Sequence, residues 1–102
     1  MIAILWTYRI EPGWAALFEA IYGPSGDWAQ LFRQADGYRG TELLRQGDGR
    51  YATIDRWNSA ADFERFKRRF AQDYERLDAR CEALTEAEEF VGSFEVYEAR
   101  GG

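Results

Sequence analysis

The hydrophobic pattern of the chain switches several times between a period of two residues and a period of three to four. Residues 2–10 alternate with a period of two, which predicts a strand that ends before Pro12. Apolar residues then recur every three or four positions over 14–21, which predicts a helix. A Gly- and Pro-containing segment, 23–26, interrupts this spacing, and 28–35 resumes it as a second short helix.

The centre of the chain predicts a β-hairpin. Two strand-like stretches, 41–46 and 51–57, flank the sequence Gly-Asp-Gly at 47–49, which suits a tight hairpin loop. Alternation along the second stretch places four side chains on one face of the sheet: Tyr51, Thr53, Asp55 and Trp57.

The hairpin leads directly into a long helical stretch. Ser59 is suited to cap its N-terminus, with Asp62 three residues further on. After this cap, apolar residues recur at steps of three or four from Phe63 to Leu84. This stripe lies either on one helix or on two helices that meet near Asp78.

The predicted order of elements indicates the fold class. The last strand is expected at about 90–99, after a short capped helical turn over 85–88, Thr-Glu-Ala-Glu. The whole order is strand, helix, strand, strand, helix, strand, which is that of an α+β, ferredoxin-like βαββαβ fold with one antiparallel sheet. We therefore expect one domain over 1–102, with a helical insertion at about 22–36.

One face of this sheet is expected to need a partner. Two helices cover only one face of four strands, yet the first strand carries apolar residues on both of its faces. We expect two sheets to pack face to face in a homodimer, so that they form a joint barrel. A small cavity is then expected between the sheet and the helices or within the joint barrel.

Composition limits the classes of partner. The 102 residues include 13 basic and 18 acidic side chains, for a net charge of −5, which argues against a nucleic-acid partner. The apolar run at 1–6 is too short to cross a membrane or to act as a signal peptide. Cys81 is the single cysteine, so no intrachain disulfide can form, and a cytoplasmic protein is expected.

The sequence contains no histidine. This excludes Ser-His-Asp and Cys-His catalysis, and it removes a common ligand of zinc and haem iron. Acid–base chemistry must then come from Asp, Glu, Tyr, Lys or Cys side chains. The acidic residues 86, 88 and 89 are expected to stabilise a helix N-terminus and not to bind a metal, so no metal site is predicted.

Several motifs together resemble the antibiotic biosynthesis monooxygenase family. One is the strand that ends in Trp57-Asn-Ser and leads into Phe63 and Phe66, and another is the opening Tyr8-Arg-Ile-Glu-Pro-Gly. The segment Gly37-Tyr-Arg-Gly-Thr-Glu-Leu-Leu fits the family's entry into its second strand. The resemblance extends over essentially the whole chain, and its motifs mark turns and packing positions.

The resemblance implies a dimeric α+β barrel that oxygenates a small aromatic or quinol-like compound without metal, flavin or another cofactor. The substrate itself, as a carbanion or phenolate, would supply electrons to dioxygen. The haem-degrading branch is disfavoured, because this chain has no histidine and has Phe66 where that branch has tryptophan. Among the family's cavity residues Trp57 is the strongest match, and Asn58 beside it either lines the cavity or faces solvent at the turn.

The strand pattern and the resemblance together give the candidate site residues. A buried Asp55 would have a raised pKa and could accept a phenolic proton, or it could form an ion pair with Arg45 or Arg39. The candidates for catalysis are Trp57, Asp55 and Tyr51, and those for substrate binding are Trp6, Tyr8, Arg9 and Asn58.

The other candidates also have structural alternatives. Trp57 could stack on a planar ligand, or it could close the mouth of the barrel against the long helix. Trp6, Tyr8 and Tyr51 could form an aromatic pocket with a hydroxyl edge, or they could pack in the core. Arg9 could orient an anionic substrate, or it could pair with an acidic residue at the surface.

Two functions of different classes fit these observations. One is a cofactor-independent monooxygenase that acts on a small aromatic or quinol-type compound. The alternative is a non-catalytic dimeric barrel that binds a small hydrophobic metabolite in a stress or regulatory role. A lactone-isomerase-like activity would require a buried acid–base pair, which the sequence does not locate. Convergent polar groups in the cavity would favour an enzyme, and packed rings alone would favour a binding module.

Overall fold

The computed structural model describes residues 1–97, which form one antiparallel four-stranded sheet with helices packed on one of its faces. Short 3₁₀ turns at Pro12–Trp14 and Glu82–Leu84 accompany the regular elements. The strands and helices, in chain order, are β1 (Ile2–Arg9), α1 (Ala15–Tyr22), α2 (Asp27–Phe32), β2 (Tyr38–Arg45), β3 (Arg50–Trp57), α3 (Ala60–Arg69), α4 (Ala71–Cys81) and β4 (Ala87–Glu95). This is the α+β, ferredoxin-like arrangement that the sequence predicts.

The sheet has the strand order β2-β3-β1-β4, and every neighbouring pair is antiparallel. Its register pairs Ile4 with Asp55 and Tyr8 with Tyr51, so these side chains share one face. That face packs against the helices, and we call the opposite face the outer face. The sheet does not close on itself within residues 1–97, because β2 and β4 are both edge strands.

The loop between β2 and β3 confirms the predicted hairpin. Gly47 and Gly49 have positive φ values of 70° and 71°, which residues with a side chain rarely adopt. Gln46 N donates to Arg50 O at 2.9 Å, and Ile10 N donates to Gly49 O at 2.8 Å. The second bond ties the hairpin to the end of β1, so Gly49 serves both the turn and a tertiary contact.

The turn from β3 into α3 also follows the prediction. Asp62 N donates to Ser59 Oγ at 3.1 Å, which caps the N-terminus of α3. Asn58 N donates to Gly37 O at 2.7 Å, so the turn is fixed to the loop before β2. The helix therefore begins immediately after the strand that carries Asp55 and Trp57.

The long apolar stripe is divided between two helices, which meet at Phe70 and not near Asp78. The backbone of Phe70 leaves the helical region, with φ −109° and ψ 27°. Phe70 N still donates to Phe66 O at 2.9 Å, and Tyr74 N donates to Phe70 O at 2.9 Å. On either side of this break both helices keep apolar residues in the core, including the buried Phe66 and Leu77.

The last strand begins earlier than the sequence predicts. Thr85 is already extended, with φ −112° and ψ 132°, and β4 starts at Ala87. The expected capped turn over 85–88 is therefore wrong. Glu86 N donates to Arg9 O at 2.8 Å, so pairing with β1 takes this segment into the sheet. The predicted C-terminal end of the strand lies outside the described residues.

Aromatic rings dominate the core between the sheet and the helices. The largest fully buried side chains are Trp57, Phe18 and Phe66. The ring centroid of Phe66 lies 5.3 Å from that of Trp57 and 5.2 Å from that of Phe32. These rings meet in tilted and edge-on arrangements, which aromatic pairs prefer.

The outer face keeps apolar side chains that residues 1–97 do not cover. Leu44 on β2 and Phe94 on β4 are 46% and 47% exposed, and Ile54 and Leu5 lie on the two strands between them. No helix in the described part of the chain is long and apolar enough to cross a bilayer. An uncovered apolar face of this kind is typical of a surface that binds a partner.

Replacing Gly49 with alanine is expected to destabilise the fold by more than about 2 kcal/mol. The added Cβ would lie 2.4 Å from Ile10 O, in addition to the strain of a positive φ. Gly47→Ala has the same strain without a close contact, so its expected cost is about 1–2 kcal/mol. Urea unfolding measures both variants, with Gly13→Ala, whose Cβ meets no atom within 4 Å, as the control. Equal losses for Gly47→Ala and Gly49→Ala would contradict the assigned contact.

Candidate active site

A cavity of about 60 Å³ lies between the sheet and the helices and opens to solvent. Its walls are mostly aromatic, and the rings come from β1 and from helices α1, α2 and α4. These rings belong to Trp6, Tyr8, Tyr22, Trp28, Phe32 and Tyr74. Hydroxyl and carboxyl groups of the sheet, from Thr41, Thr53 and Asp55, face the same space.

Asp55 enters the cavity wall from β3 and is held by a chain of hydrogen bonds. Thr41 on the neighbouring strand β2 donates its hydroxyl to Asp55 Oδ1 at 2.7 Å. Tyr38 Oη lies 2.5 Å from Thr41 Oγ1. Because the hydroxyl hydrogen of Thr41 is already donated to Asp55, Tyr38 must be the donor in that second contact. Asp55 Oδ2 accepts no hydrogen bond from residues 1–97, so it remains available to a ligand.

Burial raises the pKa of Asp55 from its ordinary value of 3.8 to about 6, and the hydrogen bond from Thr41 offsets only part of this effect. The alternative of an ion pair with Arg45 or Arg39 is not realised among the described residues, and Arg45 lies 3.5 Å from Asp48 instead. A carboxylate with this pKa is mostly ionised at neutral pH and is a stronger base than an ordinary aspartate.

The tyrosine hydroxyls around Asp55 remain protonated at neutral pH. Tyr8 Oη lies 2.9 Å from Thr53 Oγ1. Burial raises the pKa of Tyr8, and the nearby charges of Asp55 and Glu88 act in the same direction. Burial also raises the pKa of Tyr74. Both hydroxyls can therefore exchange hydrogen bonds with a ligand, but neither is suited to act as a base.

Two further carboxylates stand where the cavity opens. Asp78 on α4 and Glu88 on β4 both line it and are exposed to solvent. Burial raises the pKa of Glu88, and the charges of Asp78 and Glu82 raise it further. No lysine or arginine within residues 1–97 lines the cavity. The opening therefore carries an excess of negative charge at neutral pH.

Trp57 lies beside the cavity and is not part of its lining. It is completely buried where β3 ends, and its ring centroid is 5.7 Å from that of Phe32 and 5.4 Å from that of Tyr38. Phe32 forms part of the cavity wall, and Tyr38 donates to Thr41. The indole N–H of Trp57 has no hydrogen-bond partner among the described residues. In this position Trp57 supports both the wall and the hydrogen-bond chain.

The remaining candidates lie away from the cavity. Tyr51 is buried and donates its hydroxyl to Glu19 on α1. Arg9 is exposed, and both Arg9 and Tyr51 line a neighbouring groove of about 650 Å³, which shares Tyr8 and Glu88 with the cavity. Asn58 is exposed at the turn between β3 and α3.

Of the seven candidate residues, the structure brings three together at the cavity, namely Trp6, Tyr8 and Asp55. Sequence reasoning missed Thr41, although the hairpin contains the signal for it. Counting back from the loop pairs Arg45 with Tyr51 and therefore Thr41 with Asp55. It also missed Trp28, Tyr22 and Tyr74, because no sequence signal determines how the helices lie on the sheet.

The family model described as antibiotic biosynthesis monooxygenase matches residues 1–71, which is more than half of the chain. The chain belongs to the antibiotic biosynthesis monooxygenase family. The matched part contains Thr41 and Asp55, and it ends before Tyr74, Asp78 and Glu88.

Solved structures share the fold over almost their whole length. One is SnoaB, a cofactor-independent oxygenase from Streptomyces nogalater, solved as an asparagine-to-alanine variant. Its sequence is 23% identical, and the TM-score is 0.78. The alignment covers 96% of this chain and 94% of SnoaB. An arginine-to-serine variant of MhuD, with two manganese protoporphyrin IX molecules bound per active site, is 20% identical, with a TM-score of 0.71 and full coverage of both chains, 100% each.

A proposed antibiotic biosynthesis monooxygenase from Deinococcus radiodurans is 19% identical, with a TM-score of 0.69 and coverage of 99% of this chain and 97% of that one. No curated protein sequence matches the chain at a significant level. At these identities the structural likeness establishes the fold and leaves the substrate open.

Replacing Asp55 with asparagine is expected to stabilise the fold at pH 7–8 by on the order of 1–3 kcal/mol. The folded-state pKa lies above the ordinary value, so the unfolded chain loses this proton first as the pH rises. The stabilisation of the folded state by protonated Asp55 is therefore fully present below about pH 4, and it is lost as the pH rises through about 6. Asparagine keeps an oxygen that can accept from Thr41, and it avoids burying a charge.

Urea unfolding of the wild type and Asp55→Asn at several pH values measures this effect. Asp48→Asn is the matched control, because the Asp48 side chain is 89% exposed, and its expected effect is within about 0.5 kcal/mol. A difference between the wild type and Asp55→Asn that does not change with pH would contradict the raised pKa of Asp55.

Proposed function

We propose that the protein is a cofactor-independent monooxygenase that acts on a small phenolic or quinol-type compound in the cavity beside Asp55. The observation that carries the proposal is the Asp55 carboxylate, which has a pKa of about 6 and one free oxygen in a ring-lined cavity. Membership of the antibiotic biosynthesis monooxygenase family supports the same chemistry. Fixed polar groups converge on Asp55, which favours an enzyme over a site of packed rings alone.

In this proposal Asp55 accepts the proton of a phenolic hydroxyl through Oδ2. The resulting phenolate is rich in electrons and delivers them directly to dioxygen. A ring C–H group ortho or para to the phenolate oxygen then reacts with one dioxygen molecule, which gives a quinone carbonyl at that carbon and one water molecule formed from the phenolic and ring hydrogens. One oxygen atom enters the product, the other leaves as water with both hydrogens, and the substrate supplies all the electrons.

The size of the cavity favours a small substrate. Its volume of about 60 Å³ is far below the ~300 Å³ at which pockets for drug-sized ligands begin. A cavity of this volume holds less than a whole aromatic ring, so we expect the hydroxyl edge of one phenol ring to enter, with the rest of the ring and its substituents at the opening. The same volume disfavours a porphyrin of the kind bound in the MhuD structure, and the chain has no histidine to ligate its metal.

The candidate residues take different roles in this proposal. Asp55 is the base, and Trp6 and Tyr8 contact the ring from β1. Trp57 is a positioning residue, because it packs against the tyrosine that donates to Thr41. Tyr51 holds α1 on the sheet through its bond to Glu19. Arg9 and Asn58, which are exposed outside the cavity, contact no substrate in this proposal.

A second candidate is the non-catalytic binding of a small hydrophobic metabolite. The small volume and the six surrounding rings favour it, because both suit retention of a compact apolar group. Oxygen consumption separates the two candidates, since a binding module consumes none.

Purified protein is expected to consume oxygen with at least one compound from a panel of phenols, quinols and naphthols, without added metal or flavin. Asp55→Asn should lower turnover by about 100-fold or more, because the base is removed while the shape of the side chain is kept. Wild-type turnover should rise as the pH increases through about 6, where Asp55 loses its proton. An oxygen electrode measures each rate.

Asp48→Asn, which changes an exposed carboxylate on the hairpin, is the control and should retain wild-type turnover. Turnover by Asp55→Asn at the wild-type rate would overturn the assignment of the base. A folded wild-type protein that consumes no oxygen with any compound would favour the binding module.

We further propose that two copies associate through their outer faces to complete a dimeric α+β barrel. Leu44, Ile54, Leu5 and Phe94 form an apolar band across all four strands. Arg56 and Glu42 form an ion pair on the same face, which can flank such an interface. Burying this band against a second copy would remove it from water, which is the main source of association energy.

Leu44→Glu is expected to weaken the dimer by at least about tenfold, because a carboxylate would be buried in the interface. Leu17→Glu is the matched control, since Leu17 on α1 is 45% exposed and Leu44 is 46% exposed. Sedimentation velocity across a concentration series measures the dimer dissociation constant of each variant. Equal dissociation constants for the two variants would contradict association through the outer face.

A further inference from the structure

The cavity carries two charged groups that the proposed oxygenation does not use. Asp55 lies inside it, and the exposed carboxylates of Asp78 and Glu88 stand at its opening. Neither Asp78 nor Glu88 belongs to residues 1–71, which match the family model. The match to the family model therefore does not account for the two carboxylates at the opening.

These carboxylates are close enough to act on the same groups. In addition to burial, the charges of Asp78, Glu88 and Asp55 all raise the pKa of Tyr74. The charge of Asp78 likewise acts on Glu88. Tyr74 therefore lies within the field of all three carboxylates, and a ligand beside its ring would experience the same field.

Two arginines on the helices near the cavity are engaged with other groups, while Arg9, Arg45 and Arg50 line the neighbouring groove, which also reaches Glu88, and not the cavity itself. Arg80 lies on the same helix as Asp78, but its guanidinium is 3.7 Å from Asp27. The positive charge of Arg33 acts to lower the pKa of Tyr38. The Arg33 guanidinium donates to Pro24 O at 2.7 Å. The negative charge at the opening is thus not balanced by a basic residue that lines the cavity within residues 1–97.

The rings near the opening would also favour a positive charge. Trp28 and Tyr74 both line the cavity, and they meet edge to face with their centroids 5.1 Å apart. The electron-rich faces of tryptophan and tyrosine attract cations, most strongly where water is partly excluded. Trp6 adds a third such ring on the side of β1.

We propose that the ligand of this cavity is a phenolic amine, with its hydroxyl at Asp55 and its protonated amino group at the opening between Asp78 and Glu88. The role of the hydroxyl rests on the proposed function, whereas the preference for a positive charge concerns binding alone. A ring with a carboxylate substituent would place its charge against three carboxylates of the protein. A neutral phenol would leave the two at the opening without a partner.

Three probes with the same phenol ring test this proposal: 4-hydroxybenzylamine, 4-methylphenol and 4-hydroxybenzoate. At pH 7.5 the benzylamine is positively charged, 4-methylphenol is neutral and the benzoate is negatively charged. At low salt we expect the amine to bind about tenfold more tightly than 4-methylphenol, and the benzoate about tenfold more weakly. NMR shifts of the Trp6 and Trp28 indole N–H signals measure the affinities, and the differences should shrink at high salt.

The double variant Asp78→Asn, Glu88→Gln should bring the affinity for the amine to within about twofold of that for 4-methylphenol. Its unchanged affinity for 4-methylphenol serves as the check that the cavity remains folded. The control is Glu64→Gln, Asp73→Asn, which changes the net charge equally at exposed sites and should keep the preference for the amine.

Equal affinities for the three probes, or a preference for the benzoate, would overturn the proposal. Retention of the amine preference in the Asp78→Asn, Glu88→Gln variant would overturn it as well. If the amine binds most tightly and the benzoate most weakly, but no probe is oxygenated, the phenolic-amine site stands and the oxygenase proposal fails. If neutral phenols are oxygenated and this order of affinities is absent, the oxygenase proposal stands and this one fails.

Discussion

The packing of aromatic rings between the sheet and the helices is the interaction on which the rest of the structure depends. Trp57 is fully buried at the end of β3, and it contacts rings from three other elements: Phe32 of α2, Tyr38 of β2 and Phe66 of α3. Each large ring removes about 150–250 Å² of surface from water, so this layer supplies much of the stability of the fold. The cavity lies within the same layer, and most of its walls are aromatic rings.

This aromatic layer gives Asp55 its chemical character. The residue lies on the strand face that must pack against the helices, so folding takes its carboxylate out of water. Thr41 is the single side chain among residues 1–97 that hydrogen-bonds to it, and no cation compensates its charge. The fold would be more stable with an apolar residue at this position, because burying a charge without a paired cation costs free energy. A destabilising carboxylate that faces a cavity is typical of a functional site.

The sequence predicts those parts of the fold that short-range patterns determine. The alternation in β3, the glycines at 47 and 49 and the Ser59 cap are all realised as expected. The expected turn at 85–88 fails, because pairing with β1 outweighs a local capping motif. A capped turn would gain only two side-chain hydrogen bonds, whereas the strand gains a ladder of backbone hydrogen bonds with β1.

The candidate site is only partly predictable, for the same reason. Alternation places Asp55 and Trp57 on one face, but it does not determine which of them meets the cavity. That depends on where α2 and α4 cross the sheet, which is set by packing between rings such as Phe32 and Tyr74 from distant segments. The opening is equally hidden in the sequence, since Asp78 and Glu88 come from a helix and an edge strand that meet only in the folded chain.

The proposed chemistry requires that Asp55 is a buried base that faces a phenolic ligand. A ¹³C NMR titration of its side-chain carboxyl, with and without 4-methylphenol, tests this claim most directly. We expect a midpoint near pH 6 in the free protein and a change in the Asp55 signal when the phenol binds. A midpoint near 3.8 with no response to the phenol would contradict it, because Asp55 would then be an ordinary solvated carboxylate.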